Sequence, residues 1–129
     1  MTSPFRTWNG VPAHRLADGV MLHAIGGEQV LLCRVTYAPG ARVRLHSHEH
    51  TEQVMLILQG SMEMAVEGEC KTLHPGDVAV VNRRLEHELY SEDGVTFIEA
   101  LAPVPLDHVP DSERDLVLGP DGGSQHVER

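Results

Sequence analysis

A chain of 129 residues suits one hydrophobic core and leaves no room for a second of useful size. Nineteen acidic against ten basic side chains give a formal net charge of −9, which argues against a nucleic-acid-binding face and against an anionic membrane surface. Hydrophobic residues make up 41% but aromatics only 4%, so Leu and Val must dominate the core.

The start, Met1-Thr2-Ser3-Pro4-Phe5-Arg6, shows no basic stretch followed by an apolar run, and no segment reaches membrane-spanning length. A cytoplasmic protein without signal peptide or anchor is expected. Residues 1–15 read as an N-terminal arm. From there turn signals recur at short intervals: Asp18-Gly19, Gly26-Gly27, Pro39-Gly40, Gln59-Gly60, Glu67-Gly68, Pro75-Gly76 and Asp93-Gly94. The stretches between them are of strand length, and several alternate or are β-branched: Val20 to Ile25, Val30 to Tyr37, Val54 to Leu58, Val78 to Val81 and Val95 to Leu101. No long window has a helical period, so residues 16–102 read as an all-β sandwich or barrel. Val54-Met55-Leu56-Ile57-Leu58 is apolar on both faces, which predicts cover on each side and hints at a homodimer. Pro103, Pro105 and Pro110 then interrupt strand structure, and 103–129 reads as a C-terminal extension. Asp111-Ser112-Glu113-Arg114 is expected to start a helical turn, and Gly119 to Arg129 to form a loosely attached arm. Cys33 and Cys70 lie in apolar, strand-like stretches and are expected to be reduced, buried thiols.

The segment richest in chemistry runs from Pro39 to Gln53. Alternate strand residues point to the same face, so His46 and His48 are expected to project together and can share one ion. A third ligand must follow a turn, as Gln53 or the adjacent Glu52, and a fourth must come from another strand. Such a nitrogen-rich set suits one divalent transition metal: Fe, Mn, Ni, Zn or Co. Strand parity admits only one of Glu52 and Gln53 to the interior. A turn after His48 should leave His50 at the rim or surface. Of the remaining histidines, His23 is expected to come nearest the pocket.

The order Gly40, His46, His48, Gln53, Gly60, followed by Pro75-Gly76-Asp77 and His87, resembles the two motifs of the cupin superfamily, G-x5-H-x-H-x(3,4)-E-x6-G and a Pro-Gly-Asp turn before a later His. The resemblance covers about residues 16 to 102 and implies a single-domain double-stranded β-helix, or jelly-roll barrel. It also implies metal ligands at His46, His48, Gln53 and His87. Gln53, with six residues between it and Gly60, stands where the family usually has Glu, and on that spacing it is preferred to Glu52. Asn82 and Arg84 replace the usual Pro and Gly before the last His, and Ser91 replaces the Asn after it. The segment is also similar, more distantly, to the cupins of pectin and alginate breakdown that open unsaturated monouronates into linear keto acids. These pair His-x-His with Gln and His, and they carry an acid on the last strand and an Arg soon after. Glu99 falls at the acid's place; Pro103-Val104-Pro105-Leu106 lacks the Arg.

Parity places Arg44 on the face of His46, where its guanidinium suits a substrate carboxylate, unless it pairs with an acid such as Glu99. Met55, Ile57 and Leu89 should form an apolar wall. Glu99, a lone acid in an apolar strand, is either turned outward or held in the pocket as a general base. The expected function is that of an enzyme using a divalent metal to act on a small oxygenated or carboxylated molecule by ring opening, isomerisation or lyase chemistry, with Glu99 and Arg44 as catalytic residues. An Fe- or Mn-dependent dioxygenase and a non-catalytic small-ligand-binding barrel are the alternatives.

Overall fold

A computed structural model describes residues 3–11, 13–103 and 127–128. Eleven strands occur in them: β1 (His14–Ala17), β2 (Val20–Gly26), β3 (Leu31–Tyr37), β4 (Ala41–His46), β5 (Glu52–Gly60), β6 (Met62–Val66), β7 (Glu69–Leu73), β8 (Val78–Val81), β9 (His87–Ser91), β10 (Val95–Ala102) and β11 (Val127–Glu128). The fold is all-β, a jelly roll of two antiparallel sheets. One sheet runs β1-β2-β3-β10-β5-β8, with the short β11 beside β2 in parallel; the other runs β4-β9-β6-β7. No helix among the described residues is long and apolar enough to cross a membrane. β1 begins at His14, one residue before the expected end of the N-terminal arm. The expected helical turn at 111–114 lies outside the described residues, as does the arm from Gly119 onward except for β11.

Alternation explains the layering. β3 and β10 bury every second side chain, and the inward sets from both sheets meet in one core. Leu22, Leu31, Ile57, Leu89 and Phe97 are fully buried there, and Met55, Met62 and Met64 occupy volume that aromatic-poor composition leaves to flexible side chains. Tyr37 packs against Phe97 at 5.7 Å between ring centres. The turn from β5 into β6 depends on Gly60. Its φ is +81°, and a Cβ there would stand 2.2 Å from the Gly94 carbonyl oxygen.

Two expectations fail for the same reason, that the side chain lies on the outer face of its strand. His23 is outward on β2, where its Nδ1 lies 3.1 Å from the Val11 carbonyl, away from the interior. Cys70 is exposed on β7, an edge strand that buries only Leu73; Cys33 is buried, and both thiols are free.

The outer face of the larger sheet is apolar where β8, β5 and β10 lie side by side. Val54 and Leu56 on β5 remain 39% and 40% exposed, beside Val80 and Val78 of β8 at 58% and 56%. Ala100 and Ile98 of β10 flank them on the other side.

Candidate metal centre

His46 ends β4 and pairs directly with His87, the first residue of β9. His48 follows in the loop to β5. All three rings are buried. Their centres stand 4.2 Å (His46–His87), 5.1 Å (His46–His48) and 5.3 Å (His48–His87) apart. One nitrogen from each lies within 4.8 Å of the others, close to the separation of about 3–4 Å expected for imidazoles bound to one ion at about 2.1 Å. Backbone carbonyls fix two of the rings. His46 Nδ1 lies 2.6 Å from the Arg44 oxygen, and His87 Nδ1 lies 2.9 Å from the Leu85 oxygen. With Nδ1 donating, Nε2 is the ligating atom. Burial lowers the His87 pKa, against the opposing pull of its bond to Leu85, so the ring stays in the neutral form that a metal requires.

Gln53 opens the inward row of β5 at 1% exposure, whereas Glu52 faces out. The amide nitrogen of Gln53 donates to Glu99 Oε2. Gln53 Oε1 and His87 Nε2 are buried and make no hydrogen bond. Two acceptor atoms left bare in a dry interior are expensive unless a cation takes them, so this donor set fits a divalent metal. Glu99 projects inward from β10, two residues from the Leu101 that pairs with Gln53. At 2% exposure it is held at a pKa of about 7 rather than 4.5: burial raises it, and the Gln53 hydrogen bond offsets part of the rise. The Cys33 thiol and the Tyr37 phenol are both pushed well up, first by burial and then by the nearby Glu99 charge.

Of the six expected site residues, the interior gathers His46, His48, Gln53, His87 and Glu99. Arg44 is exposed instead. The β4–β9 register shifts between Val43 and His46, and both Arg44 and Leu45 turn outward. This bulge resets the alternation, so Arg44 and His46 do not share a face. Arg44's carbonyl serves the centre, through His46. That carbonyl and the Leu85 carbonyl carry no side-chain signal in sequence, and the tie from Glu99 to Gln53 depends on the pairing of β10 with β5. His50 is exposed, as expected.

The loop before His87 keeps the shape a glycine would give it. Arg84 has φ +71°; its amide donates to the His48 carbonyl at 2.7 Å, and its side chain meets Glu49 at 3.2 Å. These contacts hold the β8–β9 loop against the His48 loop.

With this geometry in view, the comparisons with known proteins decide the family. The cupin-domain model matches residues 33–99, more than half of the chain. The chain belongs to the cupin family. It is similar to the pectin degradation protein KdgF of Dickeya dadantii (strain 3937), at 29% identity over 98 residues, covering 74% of this chain and 89% of that one. Among solved structures it resembles KdgF from Halomonas sp. at a TM-score of 0.72 and 24% identity, covering 79% of this chain and 94% of that one. An RmlC-like cupin from Shewanella frigidimarina NCIMB 400 gives a TM-score of 0.73 and 19% identity, with coverage of 79% and 92%. The last two comparisons bear on the fold.

Proposed function

We propose that this cupin is a metal-dependent enzyme that opens the ring of a small, carboxylated sugar derivative of the kind released in pectin breakdown. The observation that carries the reading is the buried cluster of His46, His48 and His87 with the bare amide oxygen of Gln53. The similarity to a pectin degradation protein supports the substrate class. These four residues are the proposed ligands, and Fe, Mn, Ni, Zn and Co all remain suited to them. A neutral donor set leaves the full dication charge on the ion, which supplies Lewis acidity toward a substrate hydroxyl or carbonyl.

Glu99 is the proposed general base. Its pKa of about 7 keeps a substantial fraction ionised at neutral pH while leaving it basic enough to take a proton. Met55, Ile57 and Leu89 wall the interior and limit water. Arg44, being exposed, has no part in this reading, and its place as a carboxylate partner is left open. We also propose residues 16–102 as the functional barrel, a cytoplasmic setting, and a homodimer joined through the apolar outer face of β8, β5 and β10. Arg34 and Glu52, opposite in sign, stand on the outward rows of that sheet, where a two-fold axis can set one against the other.

The test measures metal content by plasma mass spectrometry on untagged protein, wild type and His48→Ala, followed by turnover of a 4,5-unsaturated monouronate. About one equivalent in wild type, almost none in the variant, and loss of the substrate double bond are expected. Absence of metal from wild type after incubation with each candidate ion overturns the reading. Metal without turnover retains the centre and rejects the reaction.

A further inference from the structure

Gln53 is ambiguous as a ligand. Its amide ends in an oxygen that can bind a cation and a nitrogen that cannot, and the two ends have the same shape. A half-turn about the last side-chain bond exchanges them. Something must therefore hold the amide the right way round, and strand geometry alone does not do so.

Glu99 stands where that job can be done. Gln53 and Glu99 are diagonal neighbours on the inner face of adjacent strands, because Gln53 pairs with Leu101 and Met55 pairs with Glu99. That offset is within reach of two long side chains. The carboxylate offers acceptors only, so it selects the nitrogen end of the amide. Oε1 is the end left buried and bare.

We propose that Glu99 is a positioning residue of the metal centre: its carboxylate captures Gln53 Nε2 and so presents Gln53 Oε1 to the cation. This rests on the metal reading above and adds to it a role that does not depend on proton transfer. A partner behind a metal ligand typically matters by about 10- to 100-fold in affinity.

The experiment is chelator competition for Co(II), with its visible spectrum, on wild type, Glu99→Leu, Glu99→Gln, Gln53→Leu and the Gln53→Leu/Glu99→Leu pair. Glu99→Leu removes the acceptor and is expected to weaken Co(II) binding by about 10- to 100-fold and to shift its bands. Glu99→Gln keeps a carbonyl acceptor for Gln53 and is expected to stay within about threefold of wild type while losing turnover. Gln53→Leu should match Glu99→Leu, and the double variant should be no weaker than either, because both act through one amide. The double variant also replaces both polar partners by apolar ones, so the comparison survives if Glu99→Leu alone fails to fold. Wild-type affinity in Gln53→Leu or Glu99→Leu overturns the proposal. So does a Glu99→Gln protein as weak as Glu99→Leu, which would assign the effect to charge. Failure of wild type to bind Co(II) or any candidate metal overturns the metal reading itself, a result distinct from these.

Discussion

The buried Glu99 carboxyl makes the metal-free protein less stable as pH rises, and replacing it with Gln should remove that dependence. The carboxyl titrates near 4.5 when unfolded and at about 7 in the fold, chiefly because burial disfavours its charge. Below 4.5 both states hold the proton. Between the two values the unfolded chain has lost it while the folded chain keeps it, so the unfolded state is increasingly favoured. Above about 7 both are ionised and the difference is complete. The rise from 4.5 to about 7, at about 1.4 kcal/mol per tenfold change in proton affinity, amounts to about 3 kcal/mol, a large fraction of the roughly 5–15 kcal/mol that holds a domain together. Urea unfolding of metal-free wild type and Glu99→Gln from pH 4.5 to 8 reads this directly. Subtracting the two curves cancels contributions common to both, including that of His87, whose lowered pKa makes it act in the opposite sense, destabilising as pH falls. The stability of Glu99→Gln minus that of wild type should grow by about 3 kcal/mol across the window. Parallel curves would refute the placement of a desolvated carboxyl beside Gln53.

Gly60→Ala forces a Cβ against the Gly94 carbonyl at positive φ, and a loss of more than about 2 kcal/mol is expected by the same urea method. At Arg84, Gly relieves the left-handed backbone but gives up chain stiffness and an exposed ion pair, so Arg84→Gly should fall within about 1 kcal/mol of wild type, while β-branched Arg84→Ile should lose about 1–3 kcal/mol. Multi-angle light scattering should find twice the 14.2 kDa chain mass for wild type and a single mass for Leu56→Asp, which places a charge within the apolar outer face; a wild-type monomer refutes the homodimer.

Much of the barrel was legible because alternation and turn residues are local. The ranges read for β2, β3, β5, β8 and β10 match the observed strands to within a residue or two at most ends. β6 and β7 were harder to see: β6 is short, with only Met62 and Met64 buried about the outward Glu63, and β7 carries Glu69 and Lys71 and buries only Leu73. Parity admits only one of Gln53 and Glu52 to the interior, and the motif spacing back from Gly60 selects Gln53. The same parity misplaced Arg44, because a bulge is a relation between two strands and leaves no mark on one. Cys70 was misread because an apolar neighbourhood in sequence does not reveal which strand will lie at an edge. Glu99 was visible as an anomaly, but its inward orientation and its partner depended on a long-range register.

The bulge in β4 also governs how this segment can change over time. A substitution at Arg44 or Leu45 alters one outward side chain. A single-residue deletion there would restore strict alternation from Ala41 onward and leave His46 inward and opposite His87, because the bulge sets three steps of β4 against two of β9. Loss of one residue at these two positions should therefore be tolerated better than gain of one, which would widen the bulge and press His46 out of register with His87.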